Sequence, residues 1–325
     1  MAPSADIGAD IPAKMVSVVV GVILNPAGEV LLARRAAHQH QGGLWEFPGG
    51  KLEPGEPPLA GLWRELHEEL GIHLITAEPL IQIRHHYPDK SVLLDVYRVS
   101  QFSGQPQGRE GQPLVWASPA TLVNYPLPAA NRPIVQALNL PNSLTITGQA
   151  ATPALWLERL QTCLETGARL ILARPQTDTQ THWPWQDLLP HAFGLCEQNN
   201  ARLIMHAKLL PHTGNTIPSY CHGLHLTAAT PMLPLAEGLL RGMSCHNPHE
   251  LTQAAQHNCH YALLSPILTT PSHPSAPTLG WSQFAHLCQH SVLPVYALGG
   301  MTKAHTPLAQ QLGGQGVAGI GGFWG

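Results

Sequence analysis

From Gly50 the chain reads Gly50-Lys51-Leu52-Glu53-Pro54-Gly55-Glu56-Pro57-Pro58-Leu59-Ala60-Gly61-Leu62-Trp63-Arg64-Glu65-Leu66-His67-Glu68-Glu69-Leu70-Gly71-Ile72. Pro57 and Pro58 suit the first turn of a helix, where backbone N–H groups lack helical partners anyway. Gly71 is a helix stop, so a helix is expected from Pro58 to about Leu70. On that helix Glu65, Glu68 and Glu69 fall at i, i+3 and i+4 and share one face. Three like charges on one face weaken a helix unless something neutralises them. A hard cation with oxygen ligands does so, and magnesium on a polyphosphate is the usual case. Arg64, next to Glu65, is placed to pair with Glu56 and fix the preceding loop. Gly49 and Gly50 allow close backbone approach to a metal or phosphate.

This crowding of carboxylates (Glu46, Glu53, Glu56, Glu65, Glu68, Glu69) stands out because the chain otherwise avoids charge. Of 325 residues, 17 are Lys or Arg and 20 are Asp or Glu, which is 11 % charged, against a usual ~25 %. Disorder and coiled coil both need more charge than this. A net charge of −3 offers no basic field for DNA or for an acidic membrane. The longest apolar run, Met15–Leu24, is shorter than the ~20 residues of a membrane span. The first 14 residues lack a signal-peptide plan. The six cysteines all lie beyond residue 160 and form no Cys-x-x-Cys pair, so a structural zinc site is not expected. The expectation is a soluble, cytoplasmic chain with reduced thiols. At ~150 residues per domain it should hold two domains.

Working outward, Met15–Leu24 and Glu29–Ala33 read as strands around an Asn25-Pro26-Ala27-Gly28 turn. Further strands are expected at Leu80–His86 and Ser91–Phe102, and a last helix at Pro128–Leu138. Pro141-Asn142 is the expected seam, giving domains 1–140 and 141–325. Beyond it, eight short apolar runs alternate with helical stretches, with the third and fourth helices weak. The runs are Leu144–Thr147, Arg169–Ala173, Arg202–His206, Gly223–Leu226, Met243–Cys245, Tyr261–Pro266, Pro294–Leu298 and Val317–Ile320. That pattern suggests a compact (β/α)8 barrel.

The spaced pattern Gly50-x5-Glu56-x7-Arg64-Glu65-Leu66-x-Glu68-Glu69-x-Gly71-Ile72 resembles the Nudix box of nucleoside diphosphate-linked hydrolases. The likeness runs over residues 15–139 and is similar to the MutT subgroup, which hydrolyses 8-oxo-dGTP to 8-oxo-dGMP and pyrophosphate. It is carried by Arg34-Arg35-Ala36-Ala37, Leu44-Trp45-Glu46-Phe47-Pro48-Gly49-Gly50-Lys51, Tyr87-Pro88-Asp89, Gly108-Arg109-Glu110-Gly111-Gln112-Pro113 and Pro128-Ala129-Ala130-Asn131-Arg132-Pro133. The resemblance implies an α/β/α sandwich. It also implies a magnesium (or manganese) site made by the Gly49 carbonyl, Glu65, Glu69 and Glu110. Glu68 would support a second metal or activate water, and Arg64 and Glu56 would complete the catalytic set. Glu46 and Glu53 belong to the cluster by count only. Arg35, Phe47, Asn131, Asp89 and Lys90 would surround the nucleotide. The Asn131 amide suits a base whose N7 has become a donor, since it offers both donor and acceptor.

Residues 143–325 resemble thiamine phosphate synthase and its relative, the TenI-type thiazole tautomerase. The matching stretches are Leu264-Ser265-Pro266-Ile267, Ser272-His273-Pro274, Leu279-Gly280-Trp281, Pro294 through Met301 and Gly316-Val317-Ala318-Gly319-Ile320. The likeness implies a phosphate site at Gly299, Gly300, Gly321 and Gly322, with Arg174 near it and His246 as an acid/base group. The synthase's polar set is eroded. His206-Ala207-Lys208 replaces an Asn-Asp pair, no acid follows Leu226 before Glu237, and His273 replaces a lysine. Efficient thiamine phosphate synthesis is therefore not expected.

The leading expectation is an 8-oxo-dGTP diphosphatase serving nucleotide-pool sanitation and mutation avoidance. One alternative is hydrolysis of damaged thiamine diphosphate. Another makes the barrel a sensor of thiazole or thiamine phosphate, a tautomerase-like module or a scaffold.

Overall fold

The computed structural model describes residues 15–37, 41–87, 90–214, 216–270, 275 and 277–324. In the first half these form β1 (Met15–Ile23), β2 (Val30–Arg34), β3 (Trp45–Glu46), β4 (Gly49–Lys51), α1 (Pro58–Leu70), β5 (His73–His86), β6 (Ser91–Ser103), β7 (Leu114–Ala117) and α2 (Arg132–Leu138). A mixed sheet runs β4-β1-β6-β5, and β3-β2-β7 makes a smaller antiparallel one. Val-rich β1 pairs antiparallel with β4 and parallel with β6. Its side chains alternate between two cores, as the period of a strand demands. Val19 and Ile23 pack with Leu62, Leu66 and Leu70 of α1. Val20 and Val22 pack with Phe47, and with Ile134 and Ala137 of α2. The sheets are thus sandwiched between the two helices.

The second half holds β8 (Ser143–Ile146), α3 (Pro153–Glu165), β9 (Leu170–Ala173), α4 (Asp178–Thr181), α5 (Trp185–Gln198), β10 (Arg202–His206), β11 (Gly223–Leu226), β12 (Leu240–Cys245), α6 (Pro248–Gln256), β13 (Tyr261–Leu264), α7 (Gly280–Gln289), β14 (Val295–Leu298), α8 (Thr306–Gln311) and β15 (Gly316–Gly319). Strands β8 to β15 close into a parallel barrel. Along β9, Leu170 and Leu172 fill the interior, whereas Ile171 and Ala173 face the helical layer. Trp156 of α3 and Trp185 of α5 meet edge to face at 5.5 Å in that outer layer. The weak third helix is a 3-10 stretch, Ala207–Thr213, and no helix joins β11 to β12 among the described residues. All six cysteines are free and buried. No helix among the described residues is long and apolar enough to cross a membrane.

The short strands β3, β4 and β7 were not expected, and β5 starts well before Leu80. It lies at the edge of its sheet, carries Pro79, and its register shifts three times between Leu74 and Ile81. Those shifts destroy the two-residue period by which a strand is read, and proline is tolerated at an edge.

The halves are joined at the end of α2. Gln315, buried before β15, donates from Nε2 to the carbonyls of Ala137 and Leu140, each at 3.0 Å. Arg202 donates to the Asn139 carbonyl, and the Tyr296 hydroxyl donates to Pro141 O at 2.5 Å. Replacing Gln315 by Leu leaves the buried Leu140 carbonyl without its donor and removes one of those at Ala137 O, at a cost of about 1–3 kcal/mol. Chemical denaturation of the full chain, followed by tryptophan fluorescence, should show a lower midpoint for Gln315→Leu.

Candidate functional site

Helix α1 begins behind Pro57 and ends on Gly71, whose left-handed conformation returns its N–H to His67 O. Arg64 organises the face that carries the glutamates. Its Nε and Nη2 donate to the two oxygens of Glu56 at 2.9 and 2.8 Å, and Nη2 also reaches Lys51 O at 3.1 Å. Nη1 donates to Glu65 at 2.8 Å and, more weakly, to Glu68 at 3.4 Å. The planar fork suits this two-pronged grip. It ties the 51–56 loop to the helix and holds the Glu56 carboxyl down at about 2.

Register brings the glycines to the same place. Antiparallel pairing sets Val20 opposite Gly49 and Val19 opposite Gly50. Gly49 has φ +147°, and a Cβ there would lie 2.1 Å from Val19 O; at Gly50 a Cβ would lie 2.1 Å from the Glu65 carboxylate. The Glu65 carboxylate therefore rests against bare backbone.

Glu69 stands deeper. Its Oε2 accepts from Gly49 N–H at 3.2 Å. The Gly108–Gln112 loop is laced to the same turn. Arg109 N and Gln112 Nε2 donate to Glu69 O at 3.0 and 3.1 Å, and Glu110 N donates to Gln112 Oε1 at 2.8 Å. Glu69, Glu110 and Glu46 consequently line one cleft of about 320 Å³, together with Arg34, Arg35 and Gln112. Burial, and then the charges of Glu46, Glu65 and Glu110, push the Glu69 carboxyl up to about 8 against the Gly49 hydrogen bond. Glu46 is raised by burial, opposed by its ion pair with Arg35.

Glu46 is the residue that sequence reasoning set aside. It has no helical spacing to the others. It arrives because β3 pairs with β2, setting Glu46 opposite Ala33 beside Arg34 and Arg35. Its place directly before Phe47-Pro48-Gly49-Gly50 was the available signal.

The donor set fits a hard divalent ion: all oxygen, rich in negative charge, with bare glycine backbone beside it. Among the described residues, no three such groups are already gathered around one point, since Glu65 faces Arg64 and Glu46 faces Arg35. The guanidinium groups occupy the electrostatic role a cation would take.

The remaining expected residues divide. Phe47 is almost fully buried in the core cluster that also holds Ala130 and Ile134, and Asn131 is buried beside it at the start of α2. Neither lines the cleft. Glu68 is largely exposed. Lys90 is half-buried, and its carbonyl accepts from Tyr87 N–H at 2.8 Å. Asp89 lies outside the described residues, as does His273 of the barrel.

At the C-terminal mouth of the barrel, Gly299 (φ +100°) and Gly300 (φ +68°) turn tightly against Pro266 and Leu268. Around Gly321 the space is open. Arg174 is tied by its backbone to Thr147, while its buried Nε has no partner. His246 Nδ1 lies 2.8 Å from Glu250 Oε2. His206 stands 5.7 Å from His225, centroid to centroid. Burial first, then Arg174 and Lys208, lower His206 to about 3, so this pair is neutral. His225 Nε2 lies 2.9 Å from Ser244 Oγ, and its Nδ1 lies 3.3 Å from the Tyr261 hydroxyl.

Comparison with known proteins matches residues 19–137 to the NUDIX domain family and residues 144–323 to the thiamine monophosphate synthase family. The chain belongs to both families, one in each half. The NUDIX half is 41 % identical over 124 residues to CTP pyrophosphohydrolase of Escherichia coli, covering 38 % of this chain and 91 % of that protein. It is 38 % identical over 125 residues to 8-oxo-dGTP diphosphatase of Escherichia coli, covering 38 % of this chain and 97 % of the relative. A solved structure of thiamine phosphate pyrophosphorylase from Pyrococcus furiosus is 18 % identical, with a TM-score of 0.44, and covers 59 % of this chain and 88 % of that one.

Two outcomes are expected from this geometry. Gly50→Ala should displace the Glu65 carboxylate and lower metal-dependent hydrolysis by at least about tenfold with the circular dichroism spectrum unchanged, because a Cβ has no space there. The Glu56–Arg64 pair stabilises the fold fully above the usual carboxylate pKa of 4.5 and loses that contribution as pH falls towards about 2. Glu56→Gln should therefore flatten the fall in unfolding temperature measured between those pH values.

Proposed function

We propose that the NUDIX half is a divalent-metal-dependent nucleoside triphosphate pyrophosphohydrolase that prefers 8-oxo-dGTP and releases 8-oxo-dGMP and pyrophosphate, removing a mutagenic nucleotide from the precursor pool. The observation that carries the reading is the convergence of Glu46, Glu69 and Glu110 in one cleft, with Glu65 beside them on Gly50. Carboxylates kept from water at this density need a cation, and a polyphosphate needs one too. The Gly49 carbonyl, Glu65, Glu69 and Glu110 would hold Mg2+ or Mn2+, with Glu68 supporting a second ion or taking the proton of the attacking water. When bound, the metal supplies positive charge against the polyphosphate and lowers the pKa of water.

The chain's own residues do the rest. Arg64 fixes the loop and helix that present Glu65 and Glu68, Gly49 N–H orients Glu69, and Arg35 stands at the cleft where the nucleotide enters. Lys90 and Asp89 would complete the nucleotide contacts. Phe47 and Asn131 form the base-recognition set. A site built around a donor–acceptor pair rejects an analogue that leaves a group unpaired. The 41 % identity to a CTP pyrophosphohydrolase supports a second substrate reading, a cytidine triphosphate. We also propose that the unit 1–140 carries this chemistry and that 141–325 is a synthase-inactive barrel. The acidic residues that a synthase uses after its third and fourth strands are replaced by His206-Ala207-Lys208 and a carboxylate-free stretch after Leu226. Arg174, the two glycine pairs and His246 leave it able to take a thiazole or thiamine phosphate as sensor or tautomerase-like module.

A competition assay with 8-oxo-dGTP, dGTP and CTP in magnesium tests the substrate. A preference for 8-oxo-dGTP is expected, lost in Asn131→Ala, and equal rates on all three overturn the base selectivity. Glu69→Gln should lower turnover by on the order of 10²–10⁴-fold. It should also leave the metal-free protein at least as stable at pH 8, because a crowded buried charge is removed. Full activity in Glu69→Gln overturns the metal site.

A further inference from the structure

Between α2 and the underside of the barrel lies a second cavity, of about 520 Å³, which shares no lining residue with the carboxylate cleft. Leu122, Tyr125, Leu127 and Val135 wall it on one side, and Leu140 and Leu240 on the other. Leu240 opens β12 and His260 immediately precedes β13. The cavity therefore sits at the N-terminal ends of the barrel strands, opposite the face on which barrels of this kind do chemistry.

Its polar groups are few and unspent. No carboxylate lines the cavity, so the exposed Arg132 guanidinium has no counter-charge there. Gln136 Oε1 is buried with no hydrogen-bond partner. His260 Nδ1 accepts the Arg241 N–H at 3.0 Å, which puts its proton on Nε2. Burial and the charges of Arg241 and Arg202 keep that ring neutral. Asn139, by contrast, is satisfied by Pro119 O and Val135 O. An apolar chamber of this size, with a few convergent polar groups, has the composition of a small-molecule site.

We propose that this cavity is a regulatory site for a small, largely apolar molecule bearing one anionic group. The anion pairs with Arg132, a donor on the ligand meets Gln136 Oε1, and an acceptor meets His260 Nε2–H. The regulatory effect follows from α2. The face carrying Arg132, Val135, Gln136 and Asn139 lines the cavity, while Ile134 and Ala137 on the opposite face pack into the core that holds Phe47. Asn131 sits directly at the start of this helix. A ligand wedged between α2 and the barrel thus bears on the residues assigned to base recognition. This effect on turnover rests on the nucleotide-hydrolase reading; the binding itself does not.

The test uses the full chain and 8-anilinonaphthalene-1-sulfonate, an apolar aromatic monoanion whose fluorescence rises on burial. One saturable site is expected. Leu240→Trp, which fills the chamber from the barrel side, and Arg132→Gln, which removes the charge, should each weaken binding about tenfold, equal to about 1.4 kcal/mol. Circular dichroism on both variants checks that they fold, and Arg132→Gln stands as the independent probe if Leu240→Trp does not. Binding unchanged by the folded variants overturns the site. With a nucleotide that the wild type hydrolyses, saturating probe should change KM at least twofold, and that change should vanish in Arg132→Gln. An unchanged KM overturns the regulatory role. Absence of any nucleotide turnover overturns the hydrolase reading, and with it the effect on turnover, while the binding result still decides the site.

Discussion

Glu69 is a carboxylate withdrawn from water beside three others, and much of the NUDIX half is arranged to keep it there. A buried negative charge surrounded by its own kind is costly unless it is neutralised or hydrogen-bonded. Here the Gly49 N–H meets it directly, and Arg35 and Arg64 engage its neighbours Glu46 and Glu65. Each of these depends on a distinct piece of fold. Gly49 is placed by the β1–β4 pairing, Arg35 by the end of β2, and Arg64 by a helix whose loop it grips. The Glu110 loop is fastened to the carbonyl of Glu69 itself, so the cluster builds part of its own wall. That repulsion is what a multiply charged cation, as proposed for this site, would relieve.

The second half meets this arrangement from behind. Gln315, Arg202 and Tyr296 spend their donors on carbonyls at the end of α2 and just beyond it. One of these acceptors, Ala137 O, belongs to the last turn, whose carbonyls lack full helical pairing, and the others continue the chain out of it. The barrel thereby completes a helix of only seven residues, too short to be stable alone. The N-terminal end of that helix carries Asn131, so the element assigned to base recognition is held at its far end by the other half of the chain.

Legibility in the sequence followed the periodicity of each element. The helix over Pro58–Leu70 and its carboxylate face were readable because a proline start, a glycine stop and i, i+3, i+4 spacing coincide. Barrel strands were readable as short apolar runs, buried on both faces, and the missing third and fourth helices were legible as weakness. Strands β3 and β4, of two and three residues, are too short to express a period. Yet β3 delivers Glu46 to the cleft and β4 delivers the two glycines. The early part of β5 was hidden by register shifts around Pro79. Burial was equally invisible: Phe47 and Asn131, read as surrounding the nucleotide, are both largely withdrawn from solvent.

The barrel interior treats its buried polar groups in the opposite way. His206 and His225 stand 5.7 Å apart there, centroid to centroid. Burial keeps both neutral, with Ser244 and Tyr261 against His225. Neutral imidazoles held by a hydroxyl and a phenol cost little to bury, whereas lone carboxylates in the same place would be expensive. Carboxylates are thus crowded into one cleft of the first half, while the barrel interior is held by neutral hydrogen-bonding groups.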